Sequence, residues 1–136
     1  MVNPVLYTQI AIVDEQHWTI YKTVEAAHER IDDGFTDAEL DEFLQTLYAL
    51  VLTHIGTEEG FMAISDYPNP AKQAHIDQHN YVKSLIREQL YKPAAECDLR
   101  KLVLLLQNWI NYHLETQDKK LGEHLQSFLK CLKSEV

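Results

Sequence analysis

The stretch TDAELDEFLQTLYALVLTHIGTEEG, residues 36–60, decides the fold class. It opens on Thr36-Asp37-Ala38-Glu39, a capping-box pattern in which the Thr36 and Glu39 side chains satisfy backbone donors that a first helical turn leaves free. Leu40, Phe43, Leu44, Leu47, Leu50 and Val51 then recur at helical spacing and make one wide apolar face. His54 and Glu58 follow at i and i+4, where side chains lie one above the other on a single helix face. The reading is a long buried helix that carries two ligand-type groups near its end, before Asp66-Tyr67-Pro68.

Helices extend on both sides of this one. Upstream, Asp14 is the expected N-cap of a first helix, with Glu15 favouring its positive end. Ile20, Val24, Ala27 and Ile31 give that helix its apolar stripe, and Asp33-Gly34 stops it. Downstream, Asn69 caps a third helix with Pro70 at the first helical position, where a missing N–H costs nothing. It runs to about Lys92, before Pro93. A fourth starts at Asp98 and carries Leu102, Leu105, Leu106, Trp109 and Ile110. Residues 121–132 read as a further, shorter helix. Only four glycines and four prolines punctuate 136 residues, which favours long helices over many short strands. The expected fold is all-α: an up-down-up-down antiparallel four-helix bundle with a short additional C-terminal helix, one domain over residues 1–136.

Charge and composition narrow the function. The formal net charge of −9 repels nucleic-acid phosphates and anionic lipid headgroups, so neither is an expected partner. The acidity serves solubility, with attraction of cations or of a basic partner as the other reading. Cys97 and Cys131 lie far apart, form no CxxC pattern and read as thiols of a reducing cytoplasm. Residues 1–7, MVNPVLY, have no basic n-region and do not read as a secretory signal. The longest apolar run, residues 102–106, is far too short to span a bilayer.

Seven histidines are not scattered along such a chain. His75 and His79 repeat the i, i+4 spacing of His54 and Glu58 on the next helix, so each pair can converge on one ion. His17 lies in the first turn of the first helix, and His113 near the end of the fourth, five residues before Asp118. Each piece alone is weak, since a His-x-x-x-His pair is commonly a polar surface pair and a His on an apolar helix commonly a core residue. Counting along antiparallel helices nevertheless puts late second, early third, late fourth and early first positions at one end. Five residues of ideal helix turn through roughly 500°, leaving His113 and Asp118 about 140° apart. Both reach one cluster only if the helix ends or distorts near residues 116–118, for example through a tightened or widened turn. Five imidazoles and two carboxylates are too many for one ion, and imidazole-rich ligation without thiolate suits two ions of iron or zinc. His28 and His124 read as surface histidines, and Phe61 and Met62 as core residues. Glu59 reads either as a support behind the ligands or as a group that faces water, with water the favoured reading.

Taken together, Asp14-Glu15-Gln16-His17, His54-x-x-x-Glu58-Glu59, His75-x-x-x-His79 and Trp109-Ile110-x-x-His113-x-x-x-x-Asp118 resemble the hemerythrin family, in particular its single-domain bacterial members. The resemblance implies reversible dioxygen binding at a non-haem di-iron centre, in storage, delivery or sensing, rather than enzymatic turnover. It implies that His75, His79 and His113 hold one iron and His17 and His54 the other. Glu58, Asp118 and an oxo or hydroxo group would bridge the two. Ile110, Leu114 and Trp109 would wall the oxygen pocket, and an unidentified protein partner would receive the oxygen. The alternative is a di-iron redox enzyme acting on peroxide or nitric oxide. The chain departs from the family at Ile55, where phenylalanine is usual, and at Gln9, where glycine is common.

Overall fold

A computed structural model describes residues 8–134, and these residues are all helix and turn, with no strand among them. The expectation about residues 1–7 therefore lies outside the described residues. The elements are α1 (Ala11–Arg30), α2 (Asp37–Ile64), α3 (Ala71–Leu90), a 3-10 turn (Ala94–Glu96), α4 (Leu99–His113), a π-helical segment (Leu114–Asp118) and α5 (Lys119–Ser134).

The start of α2 is built as its sequence requires. Thr36 Oγ1 accepts from the Glu39 backbone N–H at 3.1 Å, and Glu39 Oε1 accepts from that of Thr36 at 3.0 Å. After the last turn, Asp66 takes a left-handed φ of 52° and the Tyr67 N–H bonds back to the Met62 carbonyl at 2.9 Å. Asp98 caps α4 by accepting from the Lys101 N–H at 3.1 Å.

Two helix starts differ from the sequence reading. Asp14 is not the cap of α1: the helix begins at Ala11, and Ile10 occupies the N-cap position without a side-chain bond. The Asp14 carboxylate is instead taken from upstream, by the backbone N–H of Thr8 at 3.3 Å and by the Thr8 hydroxyl. The α3 helix begins at Ala71, with Pro70 as its N-cap residue rather than its first helical residue. Capping still comes from Asn69, whose Oδ1 accepts from the Gln73 N–H at 3.2 Å.

The C-terminal helix is also not a separate short piece. It starts at Lys119 and continues α4 through the π-helical segment, because a widened turn redirects side chains without breaking the backbone ladder. Gly122 on α5 is buried where the chain ahead of α1 crosses it: a Cβ there would stand 2.6 Å from Thr8 Cα.

Each of α1 and α3 packs against both α2 and α4. The main apolar cluster includes Ile20 and Val24 of α1, Leu44, Leu47 and Val51 of α2, Val82 and Ile86 of α3, and Leu102 and Leu106 of α4. A smaller cluster of Met62, Tyr67, Leu121 and Leu125 lies beyond it, with Phe61 only partly buried at its edge. The order Val51, Ile55, Glu58, Met62 along α2 places a polar layer between the two clusters. Among the described residues no helix is long and apolar enough to cross a membrane. Cys97 and Cys131 carry free thiols.

Candidate metal centre

The polar layer holds all seven side chains singled out by spacing. His17, His54, Glu58, His75, His79, His113 and Asp118 are buried, none more than 6% exposed. They gather in two overlapping groups whose ligand atoms lie within 4.8 Å of one another. One group is Glu58, His75, His79, His113 and Asp118; the other is His17, His54, Glu58 and Asp118. The two carboxylates are common to both.

The π-helical segment makes this convergence possible. Its i→i+5 bonding lengthens one turn, so that Asp118 returns to the side of the helix that carries His113. His113 Nε2 and Asp118 Oδ1 are 3.0 Å apart, where an ideal α-helix would hold them on divergent faces. Asp118 reaches both groups at once: Oδ1 lies 3.0 Å from His75 Nε2 and Oδ2 lies 2.9 Å from His17 Nε2. Glu58 Oε1 is 2.7 Å from His54 Nε2 and 3.1 Å from His79 Nε2.

These contacts do not satisfy the atoms that make them. The Nε2 atoms of His17, His54, His75 and His113, Glu58 Oε2 and both Asp118 oxygens are buried without an aligned hydrogen bond among the described residues. A buried polar group left unpaired is costly, and a cation at the point where they converge removes that cost. The donor set therefore fits metal ions: imidazole and carboxylate, with no thiolate among them.

The electrostatics agree. Burial alone would raise the Glu58 carboxyl, but the His54 charge and the contacts of His113, His54 and His75 hold it well below the usual carboxylate range. Burial and the Glu58 charge likewise work against ionised Asp118, and His113 and His17 overcome them, leaving it depressed. His75 is opposed by burial yet raised to about 9 by the Asp118 and Glu58 carboxylates. Against the same burial, His17 is raised by Asp118 and Glu58 and His79 by Glu58 and Glu59, whereas burial dominates at His54 and lowers it. An anionic pair surrounded by imidazoles is what a divalent cation displaces protons from.

Three rings are braced from outside the layer. His54 Nδ1 donates to Gln16 Oε1 at 3.0 Å, and Gln16 Nε2 donates in turn to Thr57 Oγ1 at 3.0 Å. His113 Nδ1 donates to Gln78 Oε1 at 2.8 Å. His79 Nδ1 donates to Glu59 Oε2 at 3.0 Å. Each bond fixes the tautomer that leaves Nε2 free to face the layer. Glu59 thus differs from its expected water-facing role, because it reaches across from α2 to α3. Gln16 and Gln78 had no role assigned from the sequence. The signal was available: each bracing residue is the sequence neighbour of a layer residue on its own helix, and braces the ring on the next. His124 is a further correction, since it is only partly exposed and its Nε2 bonds the Ser65 carbonyl at 2.8 Å. His28 is exposed, as expected.

A cavity of about 20 Å³ adjoins the layer, lined by His17, Ile20, His54, Trp109, Ile110, His113, Leu114 and Asp118. Trp109, Ile110 and Leu114, named above as pocket wall, all stand on it, and the Trp109 indole stacks on His113 with ring centres 4.4 Å apart. A space of this size admits one small molecule. Comparison with known protein families, with curated proteins and with solved structures returns no match.

Proposed function

We propose that this chain is a hemerythrin-like protein, which holds two iron ions in the histidine layer and binds dioxygen reversibly beside them. The observation that carries the reading is the position of the cavity. It touches both histidines of the four-residue group, His17 and His54, and only His113 of the three in the larger group. The group with fewer protein ligands keeps a coordination position open, and the cavity supplies room for a diatomic molecule beside it.

In this reading His75, His79 and His113 would hold one ion and His17 and His54 the other, with Glu58 and Asp118, which stand in both groups, available to each. Ferrous ions so held would supply the electrons for dioxygen binding. The chain's own part is to position and to exclude. Ile20, Ile110 and Leu114 close the cavity with hydrocarbon, and its titratable lining residues belong to the layer itself. With no titratable lining residue outside the layer, proton delivery to a bound ligand would be slow, which favours release over turnover. That supports binding over turnover, and the chain is proposed not to be an enzyme.

The fold supports the same reading. The packing α1–α2, α2–α3, α3–α4 and α4–α1 closes a ring, as in an up-down-up-down antiparallel bundle forming one domain. Dioxygen is the proposed ligand, an oxygen-accepting protein the proposed partner, and the cytoplasm the proposed location.

The test is a visible spectrum of the reduced, iron-loaded protein under argon, then air, then argon. A charge-transfer band that comes with air and goes on purging establishes reversible binding. Irreversible conversion to the diferric form would move the function to redox chemistry on peroxide or nitric oxide.

A further inference from the structure

The three braces are not equivalent. Gln16 and Gln78 present neutral amide oxygens to His54 and His113, while Glu59 presents a carboxylate to His79. His17 Nδ1 and His75 Nδ1 have no hydrogen-bond partner among the described residues. Among the described residues the anionic brace therefore serves the three-histidine group, and the brace on the two-histidine group is neutral. The pattern is ordered along the chain: α1 braces α2, α2 braces α3 and α3 braces α4, with the charge at the middle step.

We infer that Glu59 is a positioning residue that makes the two metal positions unequal, so that the three-histidine position fills first and more tightly. The inference rests on the two-metal reading above. A carboxylate accepting from the outer nitrogen of an imidazole draws that proton toward itself and raises the electron density at the inner nitrogen. A neutral amide fixes the same tautomer but adds little basicity. Glu59 Oε2 is close enough for a charge-assisted bond, and its side chain is only one-third exposed, which limits screening by water. His79 is wholly buried and cannot trade this partner for solvent. Ligand number acts in the same direction as Glu59, since the larger group has one histidine more.

The experiment is a titration of the metal-free full-length chain with Co²⁺ under argon, followed by calorimetry and by the visible d–d bands. The wild type should take two equivalents in two resolved steps, and His17→Ala should lose the second step while keeping the first. Glu59→Gln should still take two, with the first step weakened about 10–100-fold and the two steps drawn together. Gln16→Glu, which gives His54 the carboxylate that His79 enjoys, should strengthen the second step and leave the first in place. This variant carries the test even if Glu59→Gln folds poorly, as circular dichroism would reveal. A plain structural role for Glu59 predicts equal weakening of both steps, and that outcome overturns the inference. So do unchanged constants in both Glu59→Gln and Gln16→Glu while the wild type binds two ions, a result that leaves the two-metal reading standing. A wild type that takes one ion or none ends both.

Discussion

Two layers of this molecule are equally buried and chemically opposite. Around Leu47 and Leu106 the four helices meet through hydrocarbon, and those side chains are at most 2% exposed. Farther along the same helices, Glu58, His75, His79 and Asp118 are wholly buried as well. The apolar layer needs nothing further: its side chains are hydrocarbon packed on hydrocarbon, and burial stabilises each. The histidine layer is not, because most of its inward-facing atoms lack aligned partners. Burial is thus the same device used for two ends. It holds the bundle together in one layer, and in the other it holds together donors that could hold a cation.

The difference can be broken most completely at Glu58, which both metal groups share. Glu58→Gln should cut metal content from two ions per chain to one or fewer by elemental analysis, while circular dichroism remains helical. At the other layer Leu106→Ala should do the converse: a loss of about 2–5 kcal/mol in denaturant unfolding, with metal content unchanged. If Leu106→Ala also empties the metal centre, the two layers are not independent.

Acidity sharpens the contrast in metal-free protein. A histidine whose folded-state pKa is raised stabilises fully below its unfolded value and loses that contribution as pH climbs through the folded one. For His75 the window runs from 6.5 to about 9, and His17 and His79 act in the same sense. His54, with its lowered pKa, opposes them. Glu58 and Asp118, both depressed, contribute above the ordinary carboxylate range and lose that contribution as pH falls through their folded values. Thermal melts in chelator should therefore show stability declining from pH 6.5 to 9. Metal affinity should rise over the same span, because ligand protons compete with the ion. A flat melting profile would mean that the layer does not ionise as described. The smallest effect belongs to a site remote from both layers: Thr36→Ala removes a cap and should cost about 1 kcal/mol with no change in metal binding.

Much of this contrast is legible in the primary structure, and what is hidden has physical reasons. The apolar face of α2 and its capping box read directly, since both depend on neighbours within one helix. The i, i+4 pairs of α2 and α3 read for the same reason. The irregularity between His113 and Asp118 was required by geometry, though not its kind, because a tightened and a widened turn leave the same trace in residue spacing. The false cap at Asp14 arose because its acceptor could serve either the helix or the incoming chain, and Thr8 took it. The bracing role of Glu59 ranked below a water-facing one because its partner lies on another helix, and single-helix periodicity carries no information about the facing ring.

The π-helical segment has one more consequence. It amounts to a single extra residue in an otherwise continuous rod, and everything C-terminal to it is phased by that residue. Remove it, and α5 rotates by roughly 100° relative to α4. Leu121 and Leu125 would leave the small apolar cluster, and Gly122 would no longer face the crossing chain at Thr8. The reading frame that aims Asp118 is the one that seats the last helix. Evolution can exchange side chains here one at a time, but it cannot shorten the chain without losing ligand and anchor together.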